Sequence, residues 1–464
     1  MLETSESPVS NPVVRANRWL VVMLAAMFSC GLLLIGLLIL RGDTPQRALA
    51  LNGWSVVPAV FKAEYKDDSW GPMGRAFLRA RERDDGDIYG IFFDERRKFQ
   101  YPPTSLLVFL LAPESWLGND NFKRTDRDTR LTGAPLLFLR SLSQVSVLLT
   151  IAAAIAIFEI GLRRLPGARD VSKGWRLARI SMLAVLGLSF YPVVKAHDLG
   201  QIQALLNCLT ALGVLAHVLG WRASGGFMLG LCCLVKPQFA VVPIWALLRR
   251  NWRALGGFIA AALPLGLVSL AVFGWDNHIR YIGVVREISK AGEAYWPNQS
   301  FNGFLNRLLG HGDPLNFSFF EFAPYHPLVH AATVGTSLLI LGLAFYKRKS
   351  PAFHPQLDLA VIIAAATVAS PVAWEHHYGA FLPLFALALP ACLGLGSSAR
   401  ITGLICGACF LAIGSAVLAT DILLSPKWFS LPASHLFYGA VLFFGLLIYL
   451  RGRGETTTPT PAGS

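Results

Sequence analysis

Cysteine is sparse, and it is absent from the places where a secreted scaffold would need it. The seven cysteines are Cys30, Cys208, Cys232, Cys233, Cys392, Cys406 and Cys409, and all lie inside apolar runs. None stands in an evident polar external loop, so no disulfide framework is expected and the thiols read as small packing residues. Metal-ligand spacing is also missing. No cysteine pairs with a histidine at zinc-binding intervals, and His376-His377 lacks the further histidines and carboxylates that a metal centre requires. Neither a metal nor a cofactor is expected. There is no internal repeat of the kind many secondary transporters carry. Acidic residues are outnumbered, 28 against 41 basic ones, for a net charge of +13. The basic excess clusters between apolar runs, where the positive-inside bias accounts for most of it, so nucleic acid is a poor explanation for the charge.

Apolar length is what the chain has in abundance. Its 464 residues are 54% hydrophobic, with a mean hydropathy of +0.50, above the level of an ordinary soluble domain. The excess falls in runs able to cross about 30 Å of hydrocarbon. The expected fold is an all-α polytopic membrane protein, a bundle of about 10–13 transmembrane or re-entrant helices. A single membrane domain spans residues 19–450, between a cytoplasmic N-terminus (1–18) and a cytoplasmic Thr/Pro-rich tail (451–464). Two larger outer loops cover about 41–101 and 274–330. The run 19–40 follows Arg15 and Arg18, and no small-residue cleavage site succeeds it, so it reads as a retained first helix. Six basic residues between 163 and 179 place that loop in the cytoplasm. This placement requires 106–117, short for a span, to enter the membrane and return. The run 227–248 is interrupted by Lys236-Pro237-Gln238 and has basic residues on both flanks, so it reads as two short helices meeting inside the membrane. The segment 70–83 reads as an amphipathic interfacial helix with Arg75, Arg79 and Arg83 on one face.

The stretch Ser370-Pro371-Val372-Ala373-Trp374-Glu375-His376-His377-Tyr378 puts a carboxyl group and two imidazoles at a membrane border. Ionisable groups there are costly and mark functional sites. The plainer alternative is an interfacial loop anchored by Trp374 and Tyr378. The topology sets this stretch on the same side as Asp67-Asp68, Tyr101-Pro102-Pro103, the 195–201 turn and the Asn298 region. A carboxylate of the Asp67/Asp68 pair can take a proton from an attacking hydroxyl, against the plain reading of a solvated turn. Lys236 needs a negative partner, either an anionic ligand or a structural carboxylate. Lys195, His197, Asp198 and Gln201 crowd one turn, which by itself is a wet loop. Asn298-Gln299-Ser300 and Asn316-Phe317-Ser318 match the glycosylation pattern. Asn298 lies among aromatic residues and is not read as a glycan acceptor. Asn302, Asn306 and Arg307, at helical spacing, read as a polar helix facing the site.

Taken in order, these residues resemble the GT-C class of integral-membrane glycosyltransferases. More narrowly, they resemble glycosyltransferase family 87, the polyprenyl-phosphate-mannose-dependent mannosyltransferases and their relatives. The resemblance runs from about residue 19 to 395. It rests on an outer-loop Asp followed by an Ala/Arg-rich helix, Asp87-Ile88-Tyr89, Tyr101-Pro102-Pro103, Gly200-Gln201 and Lys236-Pro237. Asn298-Gln299-Ser300 with Gly303 and Arg307 continues the series, and Ser370-Pro371 through Trp374, His376, His377 and Tyr378 closes it. Ser69 departs from the pattern, standing where the family has an aromatic after the Asp, and the 119–130 loop is longer than typical.

The resemblance implies a GT-C-like bundle in the cell membrane, with its site facing the periplasm or exterior among membrane lipids. It implies a polyprenyl-phosphate sugar as donor, no nucleotide sugar, and a glycolipid or glycan hydroxyl as acceptor. Inversion follows from one direct displacement. Asp68 would be the base, with Asp67 as its substitute. His376, His377, Lys236 and Arg307 would hold the donor phosphate, and Tyr101, Gln201, Asn298, Gln299 and Trp374 would line the substrates. A transporter or flippase for a lipid-linked or anionic substrate is the alternative from another class; Lys236 suits it, and the large first outer loop does not.

Overall fold

The computed structural model describes residues 11–40, 42, 67–82, 86–117, 122–124, 129–168, 172–346, 354–415 and 430–453. Most of the first outer loop, parts of the 119–130 loop, Arg83, Arg169, Lys347, Arg348, Lys349 and the tail from 454 lie outside the described residues.

Helix α1 (Pro12–Leu40) is followed by α2 (Trp70–Glu82), α3 (Gly133–Arg163), α4 (Lys173–Leu188) and α5 (Tyr191–Asp198). Then come α6 (Gln203–Val218), α7 (Arg222–Val235), α8 (Val241–Leu248), α9 (Trp252–Ala291) and α10 (Phe301–Leu308). The chain continues through α11 (Pro327–Phe345), α12 (Pro355–Val368), α13 (Phe381–Leu393), α14 (Ala399–Gly414) and α15 (His435–Arg451). Among the described residues, six helical stretches are long and apolar enough to cross a membrane, seven if α4 and α5, bent by 52° at a short break, form one span. The shorter apolar helices α6, α7, α12 and α15, together with 237–248, pack among them. The chain is thus an all-α polytopic membrane protein. One departure from the sequence reading is a small antiparallel hairpin, Phe122–Arg124 with Thr129–Leu131.

The break at Lys236 follows from its neighbour. Pro237 crowds the residue before it out of the helical region, and Lys236 sits at φ −126°, ψ 90°. Both ends of the interrupted segment lie at the same end of the bundle. Near its start α7 touches the start of α9 backbone to backbone, where a Cβ on Gly226 would fall 2.0 Å from the Ala254 carbonyl oxygen. On its return strand Trp245 meets the ring of His217 at 5.9 Å. Lys236 therefore stands at the far end of both short helices. The stretch after Tyr101 behaves similarly. It is a 3-10 helix, Pro103–Leu111, about 18 Å long at 2.0 Å per residue and too short to span.

Gly274, where the second outer segment is expected to begin, kinks the chain at φ +74°, and α9 resumes to Ala291. In α2, Arg75 and Arg79 share a face, and both pair with Glu95, Arg75 at 2.9 Å.

The end of the bundle holding Arg249 is tied by a buried charge cluster. Asp358 accepts from Trp245 Nε1 (2.6 Å), Arg249 Nε (2.8 Å) and Arg451 Nη1 (3.0 Å), and both Asp358 and Arg451 are almost fully buried. Removing the shared partner strands two cations. Asp358→Ala is expected to destabilise the protein by about 3–5 kcal/mol, read as a lower unfolding midpoint of the detergent-solubilised chain.

Candidate functional site

At the opposite end, five separate segments meet. Asp67 and Asp68 open α2, and the backbone N–H of Asp68 donates to the Leu199 carbonyl at 3.1 Å. The two carboxylates then diverge. Asp67 accepts from the Leu131 N–H at 2.6 Å, which fastens the hairpin. Asp68 is exposed and accepts from the side-chain amide of Gln201. Gln201 in turn accepts from the hydroxyls of Ser69 and Tyr101, the latter at 3.2 Å. Tyr101 is held from behind, where its carbonyl accepts from the Tyr89 hydroxyl at 2.7 Å. Burial raises the Tyr101 phenol well above its ordinary pKa, so it remains a donor.

The face of the same Tyr101 ring carries a cation, with the Lys236 ammonium 6.0 Å from its centroid. Lys236 Nζ lies 2.7 Å from His377 Nε2. With lysine as an ammonium, Nε2 must accept, and the imidazole proton resides on Nδ1. That Nδ1 is buried and has no hydrogen-bond partner among the described residues, and the same is true of His376 Nδ1 and Glu375 Oε2. The two imidazoles stand perpendicular, 4.9 Å between centroids. Glu375 faces Lys195 at 3.9 Å. Trp374, half-buried, sits against Tyr295 and Phe317 at 6.4 and 6.0 Å. Buried nitrogens lacking partners beside a lysine form an arrangement suited to an anion.

Other expected ligands are occupied elsewhere. Asn298 Oδ1 accepts from the Ala373 N–H (2.9 Å), and its Nδ2 donates to the Glu293 carbonyl (2.9 Å). Gln299 Nε2 donates to the carbonyls of Trp296 and Ala433, both at 2.7 Å. The Asn298 side chain thus braces the 370–378 loop, while Gln299 meets that loop through its backbone, its N–H donating to the Ala373 carbonyl at 2.7 Å. Arg307 donates to the carbonyls of Ala294, Tyr295 and Asn298 and to Ser434 Oγ. Burial lowers its pKa to about 10, still cationic at neutral pH. Asn302 and Asn306 bond to each other at 2.9 Å, and Asn302 reaches Thr333 of α11 at 3.3 Å, so α10 faces a neighbouring helix and not the site. Sequence reasoning noted Ser69 only as a departure and gave it no role. Its signal was adjacency, a hydroxyl next to a candidate base.

The fold and this polar end define a class, a polytopic membrane protein with a cluster of ionisable groups from separate segments at one end of its bundle. The comparisons narrow it. The profile for glycosyltransferase family 87 matches residues 99–371, more than half of the chain, and the chain belongs to that family. The matched span includes Tyr101, Gln201, Lys236 and Arg307, and leaves Asp67, Asp68, Trp374, His376 and His377 outside. The chain is 28% identical over 320 residues to a polyprenol-phosphate-mannose-dependent alpha-(1-2)-phosphatidylinositol mannoside mannosyltransferase of Mycolicibacterium smegmatis, covering 67% of this chain and 66% of the relative. The protein of the same description from Mycobacterium tuberculosis is 29% identical over 296 residues, 61% of this chain and 60% of the relative. The chain thus spans less than two thirds of the length of these relatives. No solved structure matches significantly.

Proposed function

We propose that the protein transfers a mannosyl residue from a polyprenyl-phosphate donor to a sugar hydroxyl of a lipid- or glycan-linked acceptor, at the outer face of the membrane. One observation carries the reading. A carboxylate and a lysine–histidine pair are joined through a single aromatic ring, Asp68 through Gln201 to the Tyr101 hydroxyl and Lys236–His377 on its face. The named activity of the relatives, which use polyprenol-phosphate mannose and phosphatidylinositol mannosides, supplies the substrate class.

In this mechanism Asp68 takes the proton of the acceptor hydroxyl as its oxygen bonds to the anomeric carbon. The bond from that carbon to the phosphate oxygen breaks, and the electron pair leaves on the phosphate. Charge grows there as an oxocarbenium-like sugar forms. Lys236 and the Nδ1–H groups of His377 and His376 stabilise that charge. Asp67, bound to the hairpin, supports the base from behind. Arg307, Asn298 and Gln299 shape the site and do not bind the phosphate. One displacement inverts the anomeric centre.

The test is incubation of the purified chain with a panel of polyprenyl-phosphate sugars and a phosphatidylinositol mannoside, with products read by mass spectrometry. Consumption of the mannosyl donor and acceptor mass gain of one hexose are expected, while acceptor left unmodified across the panel defeats the reading. Because protein cations hold the leaving phosphate, turnover is expected to persist in EDTA. Loss restored by one divalent ion would replace the lysine–histidine account.

A further inference from the structure

The hydrogen bonds around Asp68 run in one direction. The backbone N–H of Ile202 donates to Ser69 Oγ at 3.0 Å. The Ser69 hydroxyl has one proton, and it goes to Gln201 Oε1. The Tyr101 hydroxyl lies 2.9 Å from Ser69 Oγ and 3.2 Å from Gln201 Oε1, and donates into that pair. Oε1 of Gln201 thus faces two hydroxyl donors, and the side chain is nearly fully buried. A flipped amide would set its NH₂ group against both, so Nε2 has one available direction, toward Asp68 Oδ2.

We propose that Gln201 is a positioning residue for the reaction, fixing which edge of the Asp68 carboxylate meets the acceptor hydroxyl. Ser69 and Tyr101 act through it by denying its amide the alternative orientation. The inference rests on the reading of Asp68 as the base. It explains how an exposed carboxylate keeps one orientation, since its own backbone is pinned to Leu199 and its oxygen to an amide that cannot rotate. It also reassigns Gln201, which the sequence had placed against substrate. Tyr101 links this lock to the other half of the site, because the ring whose hydroxyl restrains Gln201 is the ring beneath Lys236.

The experiment uses the full chain with polyprenyl-phosphate mannose and phosphatidylinositol mannoside, comparing Gln201→Ala, Gln201→Glu and Tyr101→Phe. Gln201→Ala is expected to lower kcat by about 10–100-fold, as misplaced catalytic groups do, with the donor KM unchanged within about twofold. Gln201→Glu sets a second carboxylate against Asp68, which raises the Asp68 pKa. The acid limb of its kcat–pH profile should move upward by about one unit or more, and a position that does not touch the Asp68 carboxylate would not shift that limb. Tyr101→Phe should reduce kcat less than Gln201→Ala. Wild-type kcat and an unmoved acid limb in both Gln201 variants overturn the proposal. So does a kcat loss matched by an equal loss of donor binding with the acid limb in place. Asp68→Asn measured alongside separates the two possible failures. An active Asp68→Asn removes the base assignment itself, whereas an inactive one beside wild-type Gln201 variants removes only the role of Gln201.

Discussion

Asp68→Asn is expected to lower kcat by about 10²–10⁴-fold, the range of a removed general base, while the donor still binds. The substitution is nearly isosteric, and the amide oxygen can still accept from Gln201, so the local fold should persist. What is lost is the lone pair that takes the proton. Asp67→Asn should behave differently. The Asp67 carboxylate accepts from the Leu131 N–H, and an amide oxygen can keep that bond, so a modest loss is expected. Measuring single-turnover sugar transfer and donor binding separately for the two variants decides between them. Equal loss of transfer in both, or greater loss in Asp67→Asn, would invert the assignment.

That the two aspartates differ was not legible in the sequence, where they are neighbours of identical chemistry. Their difference is made by distant partners. Gln201 lies 133 positions from Asp68 and Leu131 lies 64 from Asp67. Some signals were legible where the cause was local. Pro237 forces the break at Lys236 through the geometry of the residue before proline, and the stretch after Tyr101 was set apart by its short length together with the basic loop at 163–179. The hairpin was missed because it is too short to show a period. The hydrogen bonds of the polar residues at 298–307 were not legible in the sequence for a physical reason. An irregular loop buried in a membrane protein exposes backbone carbonyls that must be satisfied, and Asn298, Gln299 and Arg307 satisfy them. A sequence shows a polar side chain near a site without showing which carbonyl it meets. The Lys236–His377 pair, 141 positions apart, was anticipated as two ligands of one phosphate, and the structure brings the two side chains into contact.

Lys236→Met carries the second large effect, because it keeps the apolar stem and removes the charge. The leaving group then faces two imidazoles without the ammonium, and His377 Nε2 loses its donor. Loss of a preorganised charge stabiliser costs roughly 10²–10³-fold in kcat, and here donor affinity should fall as well, since the phosphate is anionic before the bond breaks. This distinguishes Lys236 from Asp68, whose loss leaves donor binding intact. Lys236→Arg should retain part of the function, because the charge survives in a bulkier, planar form. His376→Ala/His377→Ala should reproduce the affinity defect. Normal donor binding in both the lysine and the double-histidine variants would detach the phosphate from this end of the bundle. The strongest test combines the halves. If Asp68 and Lys236 stabilise one transition state across the Tyr101 ring, the Asp68→Asn/Lys236→Met double variant should lose far less than the product of the single losses, as groups acting as a unit do. Losses that multiply would mean that the two groups act independently, and the coupling of base and leaving-group cation through the Tyr101 ring would have to be given up.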